Sequence, residues 1–179
     1  MLYGTIEGLS KPVSRVVLGT MIVNRSEREK SYNLLDSAVE LGCTTLDIAH
    51  VYGGGDSERC IGEWMQERDN RERMVILTKG CHHNGDRKRV TPFDLAADLH
   101  DSLARLKTSS IDLYLLHRDD PSAPVGPIVE ALNQHLRAGR IHAFGASNWS
   151  HQRIAEANAY AKANGLRGFT ASSPNFGLA

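Results

Sequence analysis

Short apolar stretches recur along the chain at intervals of about 30 residues, which is the length of one strand–helix unit. Each stretch is nearly continuous in apolar residues rather than alternating. This pattern is typical of parallel strands that are covered on both faces. The predicted strand centres are Val16–Leu18, Thr45–Asp47, Val75–Leu77, Leu113–Leu115, Ala143–Gly145 and Phe169–Ala171.

Segments with helical spacing lie between the predicted strands, and several have recognisable ends. In the first segment, the pattern from Ser26 to Glu29 predicts a capping box, and Gly42 predicts the C-terminus. A second capping box is predicted at Thr91–Asp94, with proline at the first helical position. Further N-caps are predicted at Asp56 or Ser57 and at Ser150, and further helix ends at Gly139 and Gly165.

Strand and helix alternate without a long linker, which predicts one α/β domain over residues 1–179 with a parallel sheet. The period alone does not separate a barrel from a doubly wound sheet. The doubly wound sheet needs a phosphate loop after its first strand, whereas the cluster Gly53–Gly55 follows the second strand and lacks the GxGxxG spacing. We interpret this cluster as a turn that leads into a helix. The residues before Val16, including Gly4 and Gly8, are predicted to form a small hairpin that closes the barrel floor.

Charge and composition argue against several classes of partner. The 21 basic residues balance the 21 acidic residues, so nothing indicates nucleic acid or another polyanion. The basic run Arg87–Arg89 is interpreted as a solvated loop. We expect no membrane span, since no apolar stretch approaches about 18 residues, and no secretory signal is visible. Three scattered cysteines favour reduced thiols in a cytoplasmic protein and lack the close ligand pairs of zinc sites.

Four polar side chains lie at or just beyond the C-terminal ends of successive predicted strands. Asp47 and Tyr52 follow one strand, Lys79 ends the next, and His117 ends the one after that. In a (β/α) barrel, these strand ends open onto one rim, where catalytic residues converge. Each residue alone has an ordinary structural explanation, but together the four predict a proton-transfer site.

The residue types indicate which chemistry such a site performs. A buried amine is rarely left unpaired, so Asp47 is the expected partner of Lys79. Tyrosine is a weak acid with a reference pKa of about 10, and a nearby cation stabilises its phenolate. Tyr52 is therefore the expected proton donor, and His117 is expected to contact the carbonyl oxygen or to relay a proton. The natural chemistry is carbonyl reduction, with hydride from a cofactor.

Several motifs add to these four residues. They are Val16–Met21, Leu46–Gly53, Ser57–Glu58, Thr78–Lys79, Asp112–His117, Ala138–Ile141 and Phe144–Asn148. In order and spacing they resemble the aldo-keto reductase superfamily, particularly its bacterial branches, over nearly the whole chain. The resemblance implies a (β/α)8 TIM-barrel fold, of which this sequence supplies about six βα units. It also implies reduction of small aldehydes and ketones with NADPH.

The resemblance further implies a role for each candidate residue. The implied catalytic residues are Tyr52 as general acid, Lys79 and Asp47 as the pair that tunes it, and His117 as the residue that orients the substrate. The implied cofactor-binding residues are Ser147 and Asn148 at the nicotinamide carboxamide, Thr20, Met21 and Asp47 along the cofactor cleft, and Ser173 where the family usually has glutamine. No metal is implied.

The number of strands shapes the remaining expectations. In the family, the seventh and eighth strands hold the pyrophosphate and the adenosine 2′-phosphate, so the 179-residue chain is expected to bind NADPH weakly by itself. Open strand edges lead us to expect self-association or a complementing C-terminal segment. Two alternatives stay open. One is a Schiff-base aldolase that uses Lys79, and the other is a non-catalytic binding or regulatory module on the same scaffold.

Overall fold

A computed structural model describes residues 1–174 of the chain. Two short strands pair antiparallel at the N-terminus, and six further strands form one parallel sheet in chain order. The strands are β1 (Tyr3–Gly4), β2 (Val13–Ser14), β3 (Leu18–Gly19), β4 (Thr45–Asp47), β5 (Val75–Gly80), β6 (Ile111–Leu116), β7 (Ile141–Ser147) and β8 (Ala171–Ser173). The helices are α1 (Arg28–Glu40), α2 (Asp56–Arg68), α3 (Pro92–Leu106), α4 (Val125–Arg137) and α5 (His151–Ala163).

The order of the strands decides between the two sheet types left open by the sequence. Strands β3 to β8 follow one another across the sheet without a reversal, and every neighbouring pair is parallel. A doubly wound sheet reverses its strand order at a switch point, whereas a (β/α)8 barrel does not. The predicted barrel-type fold is therefore confirmed, with six consecutive parallel strands in the described residues.

The two faces of the sheet carry separate apolar clusters because side chains alternate along each strand. On β6, Tyr114 and Leu116 join the large core between the sheet and the helices. The intervening Leu113 and Leu115 belong to a smaller cluster on the inner face, together with Ala143.

The N-terminal hairpin covers one end of this inner cluster. Strands β1 and β2 pair Tyr3 with Ser14, which confirms the predicted hairpin. Ile6 and Leu9, in the connecting loop, pack against the inner cluster. Between them Gly8 has φ +97°, and a Cβ there would lie 2.9 Å from the carbonyl oxygen of His142. Glycine at this position therefore allows the hairpin to approach the sheet closely.

The first and last strands of the sheet begin later than predicted. Val16 and Val17 precede β3 and are exposed, and the carbonyl of Val16 accepts from the Ser14 hydroxyl at 2.8 Å instead of joining a ladder. Phe169 precedes β8 because its backbone N–H donates to the Asn158 side chain of α5 at 2.7 Å. Its ring packs edge-on against Trp149.

Of the four predicted helix N-caps, two are confirmed and two are wrong. The Thr91 and Ser150 hydroxyls accept from the backbone three residues later, at 3.1 and 3.2 Å. Ser26 does not cap α1, because the side-chain oxygen of Asn24 accepts from both the Ser26 hydroxyl and the Glu27 backbone, at 2.7 and 2.8 Å. The helix ends predicted at glycine are confirmed, since each of these glycines follows its helix with positive φ: Gly42, Gly139 and Gly165.

The predicted cap of α2 is also wrong. Helix α2 begins after Gly55, and neither neighbouring side chain caps it. The Asp56 carboxylate instead binds Arg25, and the Ser57 hydroxyl donates to the carbonyl of Thr20 at 3.0 Å.

The basic run lies in an exposed loop, as predicted, since the side chains of Arg87 and Lys88 are about half exposed, but its arginines also form ion pairs. Arg87 and Arg89 both pair with the buried Asp94, at 2.7 and 3.2 Å, and Arg89 also pairs with Asp98 at 2.6 Å. The Arg87 guanidinium is the main cause that lowers the pKa of Asp94 to about 2.

Across residues 1–174, no helix combines the length and the apolar character that a membrane crossing requires.

Candidate active site

Lys79 is the centre of a hydrogen-bonded cluster at the C-terminal ends of the strands. It lies near the end of β5, and its side chain is 4% exposed. Its amine donates to the carboxylate of Asp47, to the carbonyl of Ile48 at 2.9 Å, and to the hydroxyl of Tyr52 at 3.3 Å. The sheet register explains this contact, because Asp47 at the end of β4 lies beside Leu77, two residues before Lys79 and on the same face. We call Asp47, Tyr52 and Lys79 the rim cluster.

Tyr52 is positioned by a tight turn that follows β4. Its backbone N–H donates to the carbonyl of Ala49 at 3.0 Å, and it begins a 3₁₀ turn that ends at Gly55. Gly53 and Gly54 adopt left-handed conformations, which confirms that this glycine cluster is a turn leading into a helix. The Lys79 amine also lies 5.2 Å from the centre of the Tyr52 ring, so the cation and the phenol are in direct contact.

His117 joins the rim from the end of β6. Its backbone N–H donates to the carbonyl of Gly80 at 2.8 Å, and its ring lies edge-on to Tyr52, with the ring centres 6.0 Å apart. Burial, reinforced by Lys79 and other positive neighbours, lowers the pKa of His117 to about 3. The imidazole is therefore neutral near pH 7, a form that interacts by hydrogen bonding rather than by charge. Its Nδ1 atom is buried and has no partner within residues 1–174.

An open cleft of about 380 Å³ gathers these side chains with a second polar group across the rim. Its lining residues are Asp47, Tyr52, Lys79, His117, Arg118, Ser147, Asn148, Ser173 and Pro174. In the second group, the Ser147 hydroxyl donates to the carbonyl of Ser173 at 3.1 Å and accepts from the Asn148 amide at 3.1 Å. Strand pairing of Ser147 with Ser173 brings these residues together.

Two of the predicted cofactor-binding residues lie outside this cleft. Thr20 is fully buried, and its hydroxyl donates to the backbone carbonyl of Asp47 at 2.9 Å. This hydrogen bond therefore stabilises the C-terminal end of β4. Met21 is 70% exposed and does not line the cleft. Their contacts with a cofactor stay predictions.

Arg118 lines the cleft but was missed by the sequence interpretation. It follows His117 directly and so occupies the same strand end, which is the signal that identifies it. The acidic residues that come next, Asp119 and Asp120, make the stretch look like an ordinary charged loop. Within the described part of the chain, no group of three or more His, Cys, Asp or Glu residues is arranged to hold a metal ion.

Comparisons with known proteins agree on one family. The model of the aldo/keto reductase family matches residues 15–174. The chain is 33% identical to norsolorinic acid reductase of Aspergillus flavus, with 88% of this chain and 45% of that protein covered. It is 29% identical to the aldo-keto reductase YhdN of Bacillus subtilis, with 86% and 49% covered. The chain thus spans about half the length of the curated relatives it matches.

A solved structure shows the same likeness in three dimensions. The thermostable aldo-keto reductase Tm1743, determined with the inhibitor epalrestat, superposes on this chain with a TM-score of 0.83. Sequence identity is 27%, and the match covers 98% of this chain and 63% of the other. The fold described above is therefore shared with a barrel of this family.

Proposed function

The chain belongs to the aldo/keto reductase family, and from that premise we propose that it carries the catalytic rim of an NADPH-dependent carbonyl reductase. The substrates are small aldehydes or ketones, which the enzyme reduces to alcohols. One observation carries this proposal: the Lys79 amine donates to both the Asp47 carboxylate and the Tyr52 hydroxyl inside an open cleft. This is the arrangement that helps a phenol to release its proton.

In the proposed reaction, Tyr52 donates its hydroxyl proton to the carbonyl oxygen of the substrate as negative charge develops there. The Lys79 ammonium, 3.3 Å from the hydroxyl oxygen, stabilises the phenolate that remains. Asp47 holds the amine in place and balances its charge. His117, neutral and at the same rim, orients the carbonyl oxygen through a hydrogen bond.

The second polar group of the cleft suits a nicotinamide. A carboxamide both donates and accepts hydrogen bonds, and Ser147, Asn148 and Ser173 offer hydroxyl, amide and carbonyl groups that do the same. Asn148 has φ +57°, a conformation that asparagine tolerates better than most residues, and its amide lies against Ser147. A nicotinamide bound there would supply the hydride.

The same geometry disfavours the aldolase alternative. A Schiff-base lysine must present a neutral amine to the substrate. The Lys79 amine is almost fully buried and already donates to three oxygen atoms, one of them a carboxylate. Borohydride treatment in the presence of an aldehyde is therefore expected to leave no adduct on Lys79.

Replacement of Tyr52 with phenylalanine in the full-length gene product tests the proposed acid. Tyr52→Phe should lower the reduction rate of a test aldehyde by about 10²- to 10⁴-fold, the usual contribution of a general acid. NADPH affinity should stay nearly unchanged. Tyr160→Phe, which removes one hydroxyl from the outer helix α5, is the matched control and should keep full activity. Activity of Tyr52→Phe within about tenfold of wild type would contradict the assignment.

We further propose that the adenosine phosphates are bound by segments outside the six strands. Charge-assisted hydrogen bonds to phosphate contribute roughly 1.5–3 kcal/mol each, so the absence of two or three weakens binding by several powers of ten. The 179-residue polypeptide by itself is therefore expected to bind NADPH weakly, and addition of the remaining strands should restore binding. Fluorescence or calorimetric titration checks this, and micromolar binding by a monomer would contradict it.

A further inference from the structure

One cation in the cleft has no part in the proposed proton transfer. Arg118 lines the cleft beside His117 and is partly buried. Within residues 1–174, its guanidinium makes a single hydrogen bond, a long one of 3.3 Å to the carbonyl of His117. Arginine carries five N–H donors, so most of its capacity is unused.

The carboxylates around Arg118 are all paired with other cations. Asp119 pairs with Arg153 at 3.3 Å, and Asp120 pairs with Lys88 at 3.1 Å. Asp47, the acid of the cleft itself, pairs with Lys79. In the described part of the chain, no carboxylate oxygen lies within 4.0 Å of the Arg118 guanidinium, and residues 175–179 contain no Asp or Glu.

The backbone of Arg118 is nevertheless fixed. The indole N–H of the buried Trp149 donates to the Arg118 carbonyl at 3.0 Å, and Arg153 stacks over the Trp149 ring at 5.3 Å. The positive charge of Arg118 also disfavours protonation of the neighbouring His117 imidazole. It is one of the positive neighbours that, after burial, lower the pKa of His117. Within residues 1–174, a cation on a fixed backbone and without a carboxylate partner therefore borders the proposed reacting side chains.

We propose that Arg118 binds a carboxylate carried by the carbonyl substrate, so that the preferred substrates are anionic aldehydes or ketones. This inference rests on the proposed reductase function. A guanidinium matches a carboxylate with two parallel hydrogen bonds. The cleft holds two cations and one carboxylate, so an anionic substrate balances the charge, whereas a neutral one leaves Arg118 unpaired.

Matched pairs of substrates test the proposal in the full-length gene product. 4-Carboxybenzaldehyde is compared with benzaldehyde, and succinic semialdehyde with butanal. Arg118→Gln should lower kcat/KM about 10- to 100-fold for the two carboxylates, mainly through KM, because a charge-assisted bidentate contact is lost. The neutral aldehydes should change less than about threefold, and Arg118→Lys should recover part of the difference.

Two measurements separate this role from others. NADPH affinity should be unchanged in Arg118→Gln; weaker NADPH binding with equal losses on charged and neutral aldehydes would assign Arg118 to a cofactor phosphate and overturn the inference. Arg137→Gln removes the same charge from an exposed position on α4 and should change neither substrate pair. Equal kinetics of Arg118→Gln and wild type on the carboxylates would also overturn it.

Failure of the protein to reduce any of these aldehydes would count against the proposed reductase function but would not test the carboxylate site. A binding experiment tests that site directly. Benzoate is titrated calorimetrically into wild type and into Arg118→Gln. Binding to wild type that is weakened about tenfold or more in the variant supports the carboxylate site. Absent or equal binding overturns it.

Discussion

Two clusters of charged side chains lie at opposite ends of the sheet, and they differ in how completely their hydrogen bonds are used. The base cluster consists of Lys11, Arg71 and Asp112, near the N-terminal ends of the strands. Asp112 is 4% exposed, and its carboxylate binds Lys11 at 3.2 Å, Arg71 at 2.9 Å and the backbone N–H of Ile76 at 2.9 Å. Its oxygen atoms are therefore occupied from three sides.

The two cations of the base cluster are also fully engaged. Lys11 donates to the carbonyls of Arg71 and Met74, at 3.3 and 3.0 Å. Arg71 donates to the carbonyl of Ser110 at 2.7 Å. The base cluster thereby joins the segment before β2, the turn before β5 and the start of β6, and leaves little capacity for a ligand.

The rim cluster uses the same types of side chain but stays open. The Asp47 carboxylate is 32% exposed, and Tyr52 and Lys79 line a cleft. In barrels of this type the C-terminal face carries the chemistry and the N-terminal face supports stability. The two clusters therefore differ in their carboxylates: Asp112 is buried and bound from three sides, whereas Asp47 is partly exposed at the cleft although its partner Lys79 is buried.

The largest expected effect comes from removing the rim amine. Lys79→Met should lower the rate of carbonyl reduction by about 10²- to 10⁴-fold, because the phenolate of Tyr52 loses its cation. Asp47→Asn should be nearly as harmful, since the amine then lacks an anionic partner. Melting curves should show both variants folded. The exposed Lys162→Met is the control, and loss of the fold rather than of activity in Lys79→Met would remove the contrast with the base cluster.

The base cluster should respond in the opposite way. Asp112→Asn is expected to lower the free energy of unfolding by about 3 kcal/mol, because two partly buried cations lose their buried anion. The rate per folded molecule should stay unchanged. Glu7→Gln removes a carboxylate from an exposed pair with Arg167 and should cost less than about 1 kcal/mol. Urea denaturation compares the two, and equal small losses would show that the base cluster is not structural.

The rim cluster was predictable from sequence because it depends on local position. A residue at the end of a parallel strand lies at the rim whatever the rest of the chain does, so Asp47, Lys79 and His117 were placed together correctly. The base cluster was not predictable. Lys11 and Arg71 lie in irregular segments, and their contact with Asp112 depends on tertiary packing across long separations in sequence.

The same distinction explains the helix caps. Thr91 and Ser150 were predicted correctly because each acts within its own first turn. Ser26 was predicted wrongly because its hydroxyl donates to the Asn24 side chain, which also accepts from the Glu27 backbone, instead of accepting from the first turn of α1. Asparagine and serine have similar capping ability. Which of the two side chains accepts hydrogen bonds near the start of the helix depends on the backbone conformation before the helix, which the sequence pattern does not specify.

The smallest expected effect concerns the pH dependence of stability at the rim. The pKa of His117 falls from 6.5 to about 3 on folding, chiefly through burial. Between these values the unfolded chain binds a proton that the folded chain does not, so the free energy of unfolding decreases as the pH falls. The stabilising contribution is complete above about pH 6.5 and is lost progressively towards about pH 3, by roughly 1 kcal/mol per pH unit.

His117→Gln should therefore lose less stability than wild type when urea denaturation is compared at pH 6.5 and 5.0. His142→Gln, altered at an exposed histidine of β7, is the control and should follow wild type. Parallel pH slopes for His117→Gln and wild type would mean that the rim imidazole is protonated equally in both states, and the neutral role proposed for His117 would then be wrong.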